Sequence, residues 1–410
     1  MDWIPTRARG LARLAEFLPA AGRRYADERN HDNGPAAAGR GNVSQLSPWL
    51  HAGLLGEAEV LEAVLAQYSP RAAEKFIAEV FWRIYFKGYL EQRPSVWSAY
   101  CAGRDAALEA TQRNSGRAKA YAEATEGRTG IEAFDVWAKE LVETGYLHNH
   151  ARMWFASIWI FTLKLDWQLG ADFFLRHLMD GDAASNTLSW RWVAGLHTKG
   201  KNYLARADNI ARYTAGRASG PLAADGLAED AEPLGEPQDH PRCLPDLPPP
   251  VTAADLTQPF ALLLHDEAAH HAPLALPTAP GLVIGASRAA RRTPGPLGEP
   301  AAGFTAQAIA GGMAEAGSAF GCPAIEWRAG EPIEPLLAQA GVERVAVPWL
   351  PAGWTRDALA ADLAGLQRQG RIVTLLGDLD RATWPLAKAG FFGVAKKIDA
   401  VLGECGIGGG

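Results

Sequence analysis

Cysteine is scarce and scattered. Cys101, Cys243, Cys322 and Cys405 stand apart in 410 residues, with no C-x-x-C pair and no nearby histidine at a zinc-binding spacing. A disulfide scaffold and a sequence-local zinc motif are thereby excluded, and a reduced, cytoplasmic chain without a metal is the expectation. Long apolar runs are missing too. Met153–Leu163 spans eleven residues between Arg152 and Lys164, whereas a bilayer crossing takes about 20. The opening "MDWIPTRARGLARLAEFLPAAGRR" has no unbroken apolar core, which argues against a signal peptide and predicts an amphipathic helix. No membrane association is expected. Charge of one sign is also absent: the net charge is −6, with 27 basic against 24 acidic residues up to Arg217 and 13 against 22 beyond it. A mildly basic first part permits a phosphate-facing surface, while a dedicated nucleic-acid binder is often far more basic.

Tryptophan is what the chain has in quantity, fourteen residues of it, most before residue 200. Indoles fill cores, stack on flat ligands and, when closely spaced, relay electrons. From about Pro5 to Arg217 the pattern is helical almost throughout, as in "GEAEVLEAVLAQ", "AAEKFIAEVFWRIYFKGYL" and "IEAFDVWAKELVETG", and strand-like runs are scarce. Between Ala218 and Pro250 eight prolines and seven acidic residues predict an extended or disordered linker. Beyond it the short apolar runs "FALLLH", "GLVIGA", "RVAVPWL" and "RIVTLLG" alternate with helical stretches, which predicts a parallel α/β sheet. The expected organisation is a mostly α-helical domain over residues 1–217, a Pro/acidic linker over 218–257 and a smaller α/β domain over 258–410. Within the last, "GLVIGASRAARR" lacks the full dinucleotide fingerprint and a P-loop lysine. His265, Asp266, His270 and His271 read as a strand-end loop rather than a metal centre, and the ending "GECGIGGG" as a frayed tail.

One stretch is denser in polar and aromatic groups than its apolar helical surroundings. "GYLHNHARM" from Gly145 is followed, from Met179, by "MDGDAASNTLSWRW". Asp180 and Asp182 bracket a glycine, Asn186 follows at helical distance, and Asn149 and Arg152 lie upstream at the start of a predicted helix. Such groups are costly to bury unpaired, so they either close a salt-bridge network or hold a large polar aromatic ligand.

These motifs resemble the flavin-binding core of the photolyase and cryptochrome family, in ordered segments over roughly Tyr25–Tyr213. Tyr25 and Arg29 come first. "NVSQLSPWLHAGLL" is similar to the family's phosphate-binding threonine-serine-arginine-leucine-serine segment, with Ser44 and Ser47 matching around Leu46, while Val43 and Gln45 replace the threonine and arginine. "AEVFWRIYF" resembles the segment that carries a glutamate, a tryptophan and an arginine, here Glu79, Trp82 and Arg83. The resemblance implies FAD bound by Tyr25, Ser44, Gln45, Leu46, Ser47, Arg83, Asn149, Arg152, Asp180, Asp182 and Asn186, with Arg152 and Asp180 as an ion pair beside the flavin ring. It further implies a lesion pocket and catalytic set of Glu79, Trp82, Asn149, Met153 and Trp192.

For electron relay the resemblance implies Trp190 and Trp167 as proximal and middle tryptophans. The distal one has no counterpart in "TQRNSGRAKAYA", so Trp137, Trp154, Trp159 or a tyrosine would complete the route. Family members usually begin with an α/β antenna domain; this chain begins with helices and places its α/β part last, which suggests a permuted antenna-like domain whose chromophore the residues do not name. The expectation is a blue-light-driven photolyase-like lyase that repairs pyrimidine dimers in UV-damaged DNA with an electron from reduced FAD. The alternatives are a cryptochrome-like photoreceptor read by a protein partner and a light-independent interaction protein with a degenerate flavin fold.

Overall fold

The computed structural model describes residues 3–35, 40–256 and 259–408, so the expected boundary between residues 257 and 258 lies outside the described residues. The first part is built of helices, among them Arg7–Phe17, Glu74–Glu91, Pro94–Gln112, Glu132–Thr144, Asn149–Ser157, Trp167–His177 and Ala183–Val193. Local chemistry sets their ends. Thr6 accepts from Arg9 N and caps Arg7–Phe17, and Asp182 accepts from Ser185 N and caps Ala183–Val193. Gly145, at φ 67°, closes Glu132–Thr144 in the left-handed region that glycine reaches without strain.

Tryptophan fills the centre. Trp137 stacks on Trp154 with ring centroids 5.5 Å apart, and Phe134 on Phe155 at 4.2 Å. Each such burial contributes about 2–3 kcal/mol. A ring of four buried charges ties the start of the helical part to its end: Arg217 pairs with Asp32 at 2.6 Å and with Glu140 at 2.7 Å, and Arg40 pairs with the same two carboxylates. Alternating signs in a closed ring satisfy charges that would be very costly to bury singly.

Five parallel strands, β1 (Phe260–His265), β2 (Leu282–Ala286), β3 (Ala324–Glu326), β4 (Arg344–Pro348) and β5 (Ile372–Leu375), lie in the order β3-β2-β1-β4-β5. In β1, Ala261 and Leu263 pack with Leu359 and Leu363 on one face, while Phe260, Leu262 and Leu264 pack with Ala316 on the other. Burial on both faces is why "FALLLH" reads as a continuous apolar run. The strand order reverses between β1 and β4, where a doubly wound sheet opens a crevice at the carboxyl ends of its strands.

That edge is docked on the helical part. Glu91, buried at the end of Glu74–Glu91, accepts from Trp349 Nε1 at 3.0 Å and from Ala352 N at 2.7 Å, and Arg356 Nη2 reaches both of its oxygens at 2.8 and 2.6 Å. Tyr85 donates its hydroxyl to Ala389 O at 2.6 Å. Residues 218–252 contain no helix or strand and run extended along the helical part, where Leu222 is buried and Glu236 pairs with Arg191 at 2.5 Å. The ending does not fray as expected: Ile398–Glu404 is helical, and Val401, Leu402 and Ile407 are buried in an apolar cluster with Phe391 and Val394. Among the described residues no helix is long and apolar enough to cross a membrane.

Burial lowers the pKa of His148 to about 3 and that of His265 to about 4, so both imidazoles are neutral in the folded chain. In the unfolded chain histidine takes up a proton near pH 6.5. The stability these groups confer is complete above that pH and is lost as the pH falls toward their folded values, about 2 kcal/mol apiece by pH 5. The urea midpoint is therefore expected to drop steeply between pH 7 and pH 5; an unchanged midpoint would show that both rings are protonated in place.

Candidate functional site

The site starts from a loop under strain. Asn42–Leu46 leads into the short helix Ser47–His51, and the buried Arg13 fastens it, donating from Nε to Ser44 O at 2.8 Å and from Nη2 to Val43 O at 2.7 Å. These bonds hold Gln45 at φ 56°, in the left-handed region that costs a residue with a Cβ about 1–2 kcal/mol. Leu46 is buried, with its N–H directed to Ser44 Oγ at 3.5 Å, and Tyr25 is packed edge-on between Phe17 and Phe76.

Opposite the loop stands the Asp180–Gly181–Asp182 turn. Arg152, on Asn149–Ser157, meets Asp180 through both nitrogens of its fork at 3.2 and 2.9 Å. Burial opposes the charge of Asp180, but Arg152 and the Ser47 hydroxyl outweigh it and hold the carboxyl below its ordinary range. Asp182 commits Oδ1 to the helix cap and turns Oδ2 toward Arg83 Nη2 at 3.6 Å and His51 Nδ1 at 3.8 Å. Asn186, one helical turn on, donates to Ala171 O at 2.9 Å. The structure thus brings Ser47, Arg83, Arg152, Asp180 and Asp182 around one turn. Asn149 opens the same helix as Arg152 on an exposed surface.

The residues expected on the lesion side have partners of their own. Glu79 is paired with Arg29. Trp82 lies face to face with Phe391, ring centroids 4.0 Å and planes 16° apart. Met153 is half-buried, and Trp192 stacks on Tyr203 at 5.7 Å. Of the relay residues, buried Trp190 has Phe174 at 5.1 Å and Trp159 at 6.2 Å, and Trp159 adjoins half-buried Tyr121 at 6.0 Å. Trp159 sits in the π-helical turn Ile158–Thr162, a local widening often found at functional positions. Trp167 belongs to a second file, with Tyr100 at 5.7 Å and Trp97 beyond it.

Three residues of the α/β part reach the same turn, and sequence reasoning missed them. Arg292, 1% exposed, lays its guanidinium on Gly181, where any Cβ would collide with it, and donates to Leu178 O. Burial lowers its pKa to about 10, an effect that Asp180 and Asp266 only partly offset. Trp354 Nε1 donates to Gly181 O at 3.1 Å. Glu267, just past β1, accepts from Thr355 Oγ1 on Oε1 at 2.6 Å and turns Oε2 to His51 Nδ1 at 3.7 Å. The only signal for any of them was the basic run after β2, and nothing in it distinguished Arg292 from Arg288 or Arg291.

The helical donor set fits a flavin dinucleotide. Arg83 Nη2 and Trp190 Nε1 are buried without hydrogen-bond partners, and the Arg152–Asp180 pair offers a donor and an acceptor side by side. Asp182 also borders a narrow cleft with Lys87, Glu91, Ala183, Glu267 and Pro351. Pockets for small molecules span roughly 300–1,000 Å³, and here Arg292, Trp354 and Glu267 crowd the turn.

Residues 76–215 match the sequence pattern of the FAD binding domain of DNA photolyase. Over 229 residues the chain is 31% identical to a deoxyribodipyrimidine photo-lyase of Streptomyces griseus, an alignment covering 51% of this chain and 48% of that protein. It is 33% identical over 192 residues to one from Thermus thermophilus, covering 47% and 43% respectively. A solved class III photolyase from Agrobacterium tumefaciens aligns over 52% of this chain and 45% of its own with 26% identity and a TM-score of 0.42. The chain therefore spans about half the length of the curated relatives it matches, or less. Its helical part is thus similar to the FAD-binding domain of DNA photolyases.

Proposed function

We propose that the protein is a blue-light-driven, FAD-dependent photolyase, a lyase that splits pyrimidine dimers in UV-damaged DNA. The observation that carries this reading is the Arg152–Asp180 pair beside Ser47 and Asp182, inside the segment that matches the photolyase FAD-binding domain. FAD supplies the light-driven electron when bound, and the protein supplies orientation and electrostatics. Arg83 offers its unpartnered Nη2 to a phosphate, Arg152 and Asp180 present a cation and an acceptor at fixed spacing to a polar ring edge, and Asn186 is held in orientation by Ala171. On the lesion side Trp82, with Phe391 moved off its face, would offer a wide apolar surface and Glu79, released from Arg29, a polar edge to a flipped base, with Asn149, Met153 and Trp192 at the border. The file Trp190–Trp159–Tyr121 is the proposed route for electrons from the buried interior outward, in place of a distal tryptophan. The α/β part is proposed as a permuted antenna-like domain.

A cryptochrome-like photoreceptor is the second reading, and one observation favours it: Phe391 covers the face of Trp82 on which a lesion would stack. The deciding experiment is repair of a defined cyclobutane-dimer oligonucleotide by FAD-reconstituted, reduced protein, with dark and undamaged-DNA controls. Repair in light alone is the expected result. Bound, photoreducible FAD without repair would move the function to light sensing, and failure to retain FAD would overturn both readings.

Because Arg292 stands on the flavin-side turn, FAD uptake is linked to the contact between the two parts. Arg292→Ala removes a buried charge-assisted bond of about 1.5–3 kcal/mol, so FAD uptake, followed by flavin fluorescence, is expected to quicken at least tenfold. A slower uptake would instead make Arg292 a cofactor contact.

A further inference from the structure

We propose that His51, Asp182 and Glu267 form a divalent transition-metal site joining the helical and α/β parts, a site that goes beyond the flavin reading and does not depend on it. The three come from elements remote in sequence: the Ser47–His51 helix, the turn before Ala183–Val193, and the carboxyl end of β1. Each contributes an atom left over from its other bonds. Asp182 uses Oδ1 for Ser185 N and Glu267 uses Oε1 for Thr355 Oγ1, so Oδ2 and Oε2 remain. They stand 3.8 and 3.7 Å from His51 Nδ1, too far for hydrogen bonds, and that nitrogen has no partner although His51 is 3% exposed.

All three atoms lie within 4.8 Å of one another. Around a tetrahedral zinc ion, with bonds near 2.0–2.2 Å, neighbouring ligand atoms stand roughly 3.3 Å apart. Side-chain shifts of a few tenths of an ångström from 3.7 and 3.8 Å would close the imidazole-to-carboxylate distances around an ion.

The chemistry of the surroundings agrees. One imidazole and two carboxylates suit Zn²⁺ and its neighbours better than Mg²⁺ or Ca²⁺. Two cations lie within 4.0 Å of the carboxylates, Arg83 at 3.6 Å and Lys87 at 4.0 Å, with the buried Arg292 as a third positive charge on the same turn; neither of the first two is at hydrogen-bond distance, and Arg83 is held through Nε by Glu57 at 2.8 Å. Asp182 and Glu267 also border a narrow cleft with Lys87 and Glu91, and a fourth ligand would have to come from that side. The place is the sheet's switch point, where α/β folds collect ligands. Asp182 is shared with the flavin reading, so the two ligands compete for it.

The test uses the full chain, stripped with a chelator and free of flavin, so its outcome is independent of whether FAD binds. Calorimetric titration with Zn²⁺ is expected to give one ion per chain with a micromolar or tighter Kd, and Co²⁺ a visible absorption band of a low-coordinate site. Glu267→Gln should weaken binding a hundredfold or more. Thr355→Val, which frees Glu267 without removing a ligand, should weaken it roughly 10–100-fold and serves if the first variant fails to fold. His270→Ala and His271→Ala should leave binding unchanged. A Kd weaker than millimolar, wild-type affinity in both Glu267→Gln and Thr355→Val, or loss in either the His270→Ala or the His271→Ala chain would overturn the proposal.

Discussion

After reconstitution and gel filtration, the Asp180→Ala chain is expected to retain at most a tenth of the FAD that the wild type retains. Asp180 is buried and meets Arg152 through two charge-assisted bonds. Losing such an interaction costs about 1.5–3 kcal/mol, a factor of roughly 10 to 150 in binding. The alanine also leaves the Arg152 fork aimed at nothing, so the ring edge it would address is no longer held. Asp180→Asn keeps the shape and one acceptor, and its occupancy should fall between the two. Full occupancy in the alanine variant, with an unchanged far-UV spectrum, would remove Asp180 from the flavin site.

Glu91→Ala is expected to detach the α/β part from the helices. Glu91 gathers Trp349 Nε1, Ala352 N and both reaches of Arg356 Nη2 on one carboxylate. Its removal strands three donors at once, one of them charged, and the cost is about 3 kcal/mol, toward the lower end for a broken buried pair because Arg356 keeps some solvent. Against a total stability of roughly 5–15 kcal/mol, urea unfolding should split into two steps, with the α/β tryptophans Trp327 and Trp354 exposed in the first. A single step at the wild-type midpoint would show that Gly88, Trp384 and the apolar cluster around Phe391 suffice to hold the parts together.

Much of the fold was legible because it rests on periodicity. The three-and-four spacing of "AAEKFIAEVFWRIYFKGYL" becomes the helix Glu74–Glu91, and the unalternating "FALLLH" becomes a strand buried on both faces. The ending misled for a physical reason: glycine-rich composition says that a chain is free to move, not that Val401, Leu402 and Ile407 will find an apolar cluster to join. The polar constellation was legible in part. Arg152, Asp180 and Asp182 stand out as charges in apolar helices, and charges placed there need partners.

The sequence by itself determined the helical core, the parallel sheet and the identity of the residues on the Asp180–Asp182 turn, since spacing along one chain dictates which side chains share a helix face or a strand edge. Only the tertiary structure decided what stands opposite that turn. Arg292, Trp354 and Glu267 arrive there from the far end of the chain, and Phe391 comes to cover Trp82. Such contacts depend on how two packed bodies meet, which is set by the close approach at Gly181 and Gly88 and by the hydrogen bonds of Glu91, and no local pattern encodes a meeting between residues more than a hundred positions apart.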